Sequence, residues 1–263
     1  MNVLQQIAAA LYLAAGVGAL LAVTLPSRRM ERGAVIGLAL GAVAQTAFYA
    51  TLHRADSVPP LASLPAAFGL TAWMAVLFFL AFMGRVKLPG LAAVVGFTAF
   101  LSVFAGAISA GLGAPDETVS EGGLPHAHVL LASAGLALMG IAGLSGLFFL
   151  LEHRRLKQKR RVAAAYPMPS LEALDRVNVV SLGIGFPLLT LGVITGSLWV
   201  MHERGVLWLG TSHETWTIVA WAIYGGLVLA RFAGHQAGRQ AAASALGGFA
   251  FLLFAVVGVE LFT

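Results

Sequence analysis

Histidine is the residue type in this sequence with the widest range of chemistry, because imidazole changes charge near neutral pH and is the commonest metal ligand in proteins. The chain contains 7 histidines and no cysteine. Without cysteine it has no disulfide, thiol redox motif, cysteine-ligated metal site or CxxCH attachment motif. His126 and His128 lie two residues apart, so on a helix they point about 200° away from each other. Only one of the two can therefore face the interior of a bundle.

Tryptophan is the second residue type with an uneven distribution. Of the 5 tryptophans, four lie close together in one part of the chain, namely Trp199, Trp208, Trp216 and Trp221. An aromatic belt is one interpretation, because tryptophan favours the headgroup zone of a membrane. A belt spreads over many helix ends, however, so this concentration favours a flat platform on which a planar, hydrophobic porphyrin would stack. His202 lies three residues from Trp199, and His213 three from Trp216, so each pair shares a helix face.

The composition indicates the elements that position these residues. The 263-residue chain is 59% hydrophobic and only 10% charged, whereas soluble domains carry roughly 25% charged residues. Eight apolar stretches are each long enough to cross a bilayer as a helix. They run approximately over 3–25, 33–52, 62–83, 88–111, 126–151, 175–201, 213–231 and 240–262. The sequence predicts an all-α, polytopic membrane bundle of about eight transmembrane helices, with one membrane domain over 1–263. The first stretch is interpreted as a retained span, because it lacks a basic leader and is too long for a signal peptide.

The cations orient this bundle. Basic residues occupy alternate loops: Arg28, Arg29 and Arg32; Arg85 and Lys87; the cluster at 154–161; and Arg231 and Arg239. By the positive-inside rule these loops face the cytoplasm, which places both termini on the non-cytoplasmic side of the cytoplasmic (inner) membrane. The formal net charge of +5 thus marks topology and contact with anionic lipid rather than nucleic-acid binding. Five histidines then face outward: His53, His126, His128, His202 and His213. A single interfacial histidine is often only a polar residue near headgroups, but several beside tryptophans favour a metal or haem site.

The tryptophan-rich segment at about 196–224 reads GSLWVMHERGVLWLGTSHETWTIVAWAIY. It resembles, without a gap, the "WWD" signature of the cytochrome c assembly and haem-handling proteins, the CcsA/CcmC/HemX-like group, whose pattern is approximately GxxWAxxxWGxYWxWDPKETWxLIxWxxY. The matching residues are Gly196, Trp199, Gly205, Trp208, Glu214, Thr215, Trp216, Trp221 and Tyr224. The helix that begins near HVLLASAG resembles the family's earlier helix with an outward histidine. The resemblance therefore implies that His128 coordinates haem.

Other residues complete the site that the resemblance implies. His202 and His213 are candidates for a second axial ligand, although His213 replaces a family lysine and would alternatively serve a propionate or cap its span. Arg204 would pair with haem propionates as a fork donor, or would be an exposed loop cation. Trp199, Trp208, Trp216 and Trp221 would contact the porphyrin. The negative charge of Glu214, in the first turn of its span, would interact favourably with the helix dipole.

The sequence also departs from the family pattern. Arg204, Gly210, Thr211 and His213 replace the second and third tryptophans, the aspartate and the lysine of the signature. The last residues read GVELFT, where larger members supply a second outward histidine. In span two Gln45 stands where relatives often place an intramembrane histidine, and a neutral amide is a poor iron ligand. These differences favour the smaller HemX/YpjD-like branch.

The resulting hypothesis is a haem-binding or haem-handling accessory membrane protein in cytochrome c assembly or haem homeostasis. It would hold non-covalent haem b at the outer leaflet and act as a carrier or sensor rather than an enzyme. Its partners would be haem, the lipid bilayer and other cytochrome c assembly or haem-synthesis proteins. The alternative is a non-haem membrane scaffold that regulates haem synthesis or cytochrome assembly through partner contacts. A secondary transporter ranks last, because the spans show no clear inverted repeat and no central ion pair.

Overall fold

Eight α-helices make up the protein in the computed structural model, which describes residues 3–25, 27–54, 64–86, 88, 90–111, 123–158, 169–234, 236 and 238–255. The helices are α1 (Val3–Thr24), α2 (Arg28–Arg54), α3 (Leu64–Met83), α4 (Leu91–Gly111), α5 (Gly123–Lys157), α6 (Leu171–Arg204), α7 (Ser212–Phe232) and α8 (Arg239–Leu253). No strand occurs within the described ranges. The predicted all-α fold is confirmed, with eight helices in the described part of the chain.

Within the part of the chain that the structure describes, six helical segments are long and apolar enough to cross a membrane: Val3–Thr24, Arg28–Thr51, Ala66–Met83, Gly123–Lys157, Leu171–Arg204 and Glu214–Phe232. Helix α4 contributes a shorter apolar segment, Leu91–Gly106. Because a helix satisfies its own backbone hydrogen bonds, such segments are the ones that hydrocarbon tolerates. The chain is therefore a multi-pass membrane protein. The direction in which the termini point stays a prediction.

The helices group into two compact units. Helices α1–α4 belong to the first unit, and α5–α8 belong to the second. The single membrane domain predicted over 1–263 stays a prediction. In the first unit small residues bring the backbones together, since a Cβ at Gly96 of α4 would lie only 2.8 Å from Gly16 Cα of α1. Close approach through glycine is a common way to pack helices in lipid, where the hydrophobic effect does not drive association.

Gln45 links α2 to α3 within the first unit. It is only 3% exposed, and its Nε2 donates to Gly69 O at 3.1 Å and to Tyr49 Oη at 3.3 Å. A buried amide in a membrane bundle is stable only when it finds such partners. Gln45 therefore forms a hydrogen bond between α2 and α3.

In the second unit, α5 and α6 pack along most of their length through glycine. A Cβ at Gly135 would lie 2.7 Å from Leu189 N, and one at Gly192 would lie 3.0 Å from Ala132 Cα. The first distance is shorter than real Cβ contacts, and the second is tighter than most of them. Glycine at these two positions therefore permits the close separation of the two helices. The close packing brings the first turns of α5 against the last turns of α6.

Helix α6 is also tied to α7 at the opposite end of the unit. Arg231 Nη2 donates to Asp175 Oδ1 and Oδ2, each at 2.8 Å, and Arg231 Nη1 donates to the carbonyl oxygen of Gln236. The arginine side chain is 8% exposed and the aspartate side chain 34% exposed. A nearly buried guanidinium is tolerated because its charge is paired and its N–H groups are hydrogen-bonded.

Candidate functional site

A cavity of about 290 Å³ lies in the α5–α8 unit, between α5, α6, the loop after α6 and the start of α7. Its walls are mainly apolar: His128, Ala132, Leu189, Gly192, Val193, Gly196, Ser197, Trp199, Val200, Leu207, Trp208, Glu214, Thr217 and Ile218. Ligand pockets are typically roughly 300–1,000 Å³, apolar, and equipped with a few placed polar groups. This cavity has that character at the small end of the range, and it contains the histidine singled out from the sequence.

His128 is held in one orientation by the backbone of α6. Its Nδ1 lies 2.8 Å from Gly192 O. A carbonyl oxygen only accepts, so in the neutral ring this hydrogen bond requires the proton on Nδ1. Nε2 then carries the lone pair that a metal would take. Metal-ligating histidines commonly donate their other ring N–H to a carbonyl or carboxylate in this way. The geometry therefore suits His128 to ligation through Nε2.

Gly196 makes room for this imidazole. A Cβ at position 196 would lie 2.7 Å from His128 Nδ1 and 2.8 Å from Cε1, so a larger residue would push the ring away. Thr195 Oγ1 also donates to Gly192 O, at 3.0 Å. Sequence reasoning matched Gly196 to the signature but did not identify this contact, because it joins two helices.

Two of the four signature tryptophans lie at the cavity. The Trp199 ring centroid is 6.3 Å from that of His128, with an interplanar angle of 38°. Its Nε1 is buried and has no hydrogen-bond partner among the described residues. Trp208 comes from the loop between α6 and α7 and is 54% exposed. An imidazole is thus accompanied by one half-buried and one exposed indole ring.

The structure does not bring Trp216 and Trp221 to this cavity. Trp221 stacks on Phe186 at a centroid distance of 6.0 Å, and its Nε1 donates to Thr190 Oγ1 at 2.9 Å. Trp216 contacts the ring of Phe254 at 5.9 Å, on the side of α8. The predicted platform of four rings is therefore divided between the cavity and the packing of α7 against its neighbours.

The remaining predicted residues lie at the helix ends. His202 and Arg204 are exposed in the last turn of α6 and do not line the cavity. His213 is the second residue of α7, and its side chain lies outside the described residues, as does that of His53. Among the side chains that the structure describes, no group of three or more histidine, aspartate or glutamate residues could hold a metal. A second axial ligand and a propionate partner therefore stay predictions.

The loop that carries Trp208 is held at both ends. Gly205 and Gly210 have φ of 72° and 73°, a left-handed conformation that glycine adopts without steric cost. Thr211 caps α7, since its Oγ1 accepts Glu214 N–H at 3.3 Å, and the Glu214 carboxylate accepts Leu209 N–H at 2.8 Å. Threonine followed three residues later by glutamate is the capping-box pattern. That pattern predicts the Thr211 cap, but it does not predict the bond to Leu209 N–H, because a capping-box glutamate accepts the backbone N–H of the cap residue itself.

Comparison with known proteins identifies relatives of this chain. The chain is 30% identical over 125 residues to the "Cytochrome c biogenesis protein CcsA" of Synechocystis, an alignment that covers 48% of this chain and 37% of that relative. It is 36% identical over 90 residues to the protein of the same description from Thermosynechococcus vestitus, covering 34% of this chain and 28% of that relative. The chain thus matches well under half the length of these relatives, and no solved structure gives a significant match. The profile of the family described as cytochrome C assembly protein matches residues 38–263, so the chain belongs to the cytochrome c assembly protein family.

Proposed function

We propose that this protein binds haem b non-covalently at the outer face of the cytoplasmic membrane and carries or presents it during cytochrome c assembly. Membership of the cytochrome c assembly protein family supports a role in cytochrome c assembly. The observation that carries the proposal is the hydrogen bond from His128 Nδ1–H to Gly192 O. That bond leaves Nε2 available in an apolar cavity beside two tryptophans.

The donor set fits haem. Imidazole is a common axial ligand of haem iron, and apolar and aromatic walls suit a porphyrin face. The cavity holds about 290 Å³, so a bound macrocycle would extend beyond it along the exposed ring of Trp208. When bound, haem supplies the iron and its redox chemistry. In the proposed role, His128 binds the iron, Trp199 and Trp208 cover the ring, and the protein performs no transformation of its own.

Two further parts of the proposal concern residues at the helix ends. His202 or His213 would provide a second axial ligand, and Arg204 would either pair with a propionate or remain a solvated cation. All three lie at the ends of α6 and α7 that border the Trp208 loop. Assignment to the HemX/YpjD-like branch and association with other assembly or haem-synthesis proteins are likewise proposals.

An absorption spectrum tests the haem site. The full chain, purified in detergent and titrated with haem, should develop a Soret band. His128→Ala should lose or shift that band because the iron loses its imidazole. His153→Ala is the matched control, since His153 lies on the same helix but stacks on Phe149 instead of lining the cavity. No Soret band in the unaltered protein, or an unchanged band in His128→Ala, would refute the proposal.

A second candidate function is a scaffold that regulates haem synthesis or cytochrome assembly without binding haem. The observation that favours it is that His128 is the single histidine among the described lining residues. Gln45, at the position where a histidine was expected from the resemblance, is also engaged in hydrogen bonds to α3 and to Tyr49. A scaffold would co-purify with an assembly or synthesis protein and carry no pigment. That result distinguishes the two candidates.

A further inference from the structure

The loop of residues 205–211 exposes an unusual run of large apolar side chains. Four consecutive residues, Val206–Leu209, are 44–60% exposed. Leu207 and Trp208 also form part of the cavity wall. About half of the surface of each of these side chains is not covered by the protein itself, so packing within the fold does not by itself define the position of this wall. A polar contact that ties the loop to a helix would supply what packing lacks.

One charge-assisted hydrogen bond meets this requirement. The carboxylate of Glu214 accepts the backbone N–H of Leu209, the residue after Trp208, at 2.8 Å. Hydrogen bonds to an ionised acceptor are roughly twice as strong as those between neutral groups. Glu214 lies in the first turn of α7 and itself lines the cavity. The bond thus joins the loop directly to the first turn of α7.

Capping of α7 does not explain this carboxylate. The cap is provided by Thr211, whose Oγ1 accepts Glu214 N–H and whose carbonyl oxygen accepts Thr215 N–H at 3.0 Å. The side chain of Glu214 instead extends backwards to the loop. Gly205 and Gly210 permit the left-handed backbone on either side, but they do not select one loop conformation. Glu214 therefore acts on the loop and not only on the helix.

We propose that Glu214 is a positioning residue that holds Trp208 in place as a wall of the His128 cavity. As far as haem is concerned, this inference rests on the proposed function. Its physical basis is preorganisation, because a loop already held in its binding conformation loses less entropy when the ligand arrives. Substitution of Glu214 should thus loosen the wall while leaving the imidazole in place.

The test uses the full chain in detergent with Glu214→Ala, Glu214→Gln and Glu172→Ala. Glutamine keeps an oxygen that accepts Leu209 N–H. Glu172 is the matched control, because it is a first-turn glutamate of α6 and does not line the cavity. Each variant is made with and without Trp208→Phe, so that the difference in acrylamide quenching and in anisotropy reports Trp208 alone. Haem release to excess apomyoglobin is measured in parallel.

In Glu214→Ala, Trp208 should become more accessible to acrylamide and lose anisotropy, and haem should dissociate about tenfold faster, as expected for the loss of one hydrogen bond to a charged group. Glu214→Gln should restore part of both properties, because its neutral oxygen still accepts Leu209 N–H, and Glu172→Ala should change neither. Unchanged Trp208 signals in Glu214→Ala, or no rescue by glutamine, would overturn the positioning role. If the Trp208 signals respond as expected but the unaltered protein binds no haem, the proposed function fails while the positioning role stands.

Discussion

Gly196→Ala tests the placement of His128 without removing any group that would touch a cofactor. The new methyl would lie 2.7 Å from Nδ1 and 2.8 Å from Cε1 of the imidazole. The ring must then leave Gly192 O, which it contacts at 2.8 Å. Overpacking of this kind costs about 1–3 kcal/mol, and a lost neutral hydrogen bond about 0.5–1.5 kcal/mol. Alanine returns about 0.5–1 kcal/mol through its higher helix propensity.

Haem binding requires the ring to return to its original orientation against this overpacking, so haem affinity should fall by about one to two factors of ten, since about 1.4 kcal/mol corresponds to a tenfold change. The helix-propensity gain acts on the free energy of unfolding instead. The assay is a haem titration followed at the Soret band, together with thermal unfolding. Gly226→Ala is the control, because a Cβ there has no neighbour within 4 Å. It should retain the affinity and show equal or higher stability. If Gly196→Ala binds haem with the affinity and spectrum of the unaltered protein, the inferred orientation of His128 is wrong.

Three further substitutions test the surrounding structure. Trp221→Phe removes the Nε1–H that Thr190 accepts, so it should lower the free energy of unfolding by about 1 kcal/mol without changing haem affinity; a clear loss of affinity would place Trp221 at the site after all. Asp175→Ala leaves the nearly buried Arg231 guanidinium without its carboxylate, so its melting temperature should fall more than that of Arg231→Met, and the opposite order would contradict the pairing. Gln45→Leu removes the α2–α3 hydrogen bond to Gly69 O and should destabilise the first unit by about 0.5–2 kcal/mol in a denaturant titration, whereas a stabilised variant would argue against that bond.

The number and type of the helices follow from the sequence alone. Hydrocarbon cannot solvate free backbone groups, so each apolar stretch of about 20 residues must become a helix. The positions at which the helices begin and end do not follow from the sequence alone. The stretch predicted at 175–201 is helical from Leu171 to Arg204, and that predicted at 126–151 extends from Gly123 to Lys157. Hydropathy detects only the apolar part, whereas a helix continues for as long as its own hydrogen bonds and caps allow, as with Ser170 at the start of α6.

The candidate site was likewise predictable from the sequence only in part. The resemblance of the helix that begins near HVLLASAG to an earlier helix of the family pointed to His128, and the structure places this residue in the cavity wall. Which tryptophans accompany it depends on the directions in which α6 and α7 face. Trp216 and Trp221 are five residues apart, about 140° around a helix, so they could not share one face of α7. That part was predictable from spacing, but the partner of each ring was not.

What the sequence by itself determined is therefore a membrane bundle of eight helices and a set of candidate histidines, among which the family resemblance favoured His128. The tertiary structure decided that Gly192 O orients His128, that Gly196 leaves room for its ring, and that Glu214 reaches back to the Trp208 loop. Each of these contacts joins different elements. Local periodicity describes one helix at a time. Only the packing of α5, α6 and α7 brings together the His128 imidazole, the room that Gly196 leaves for it and the Trp208 loop.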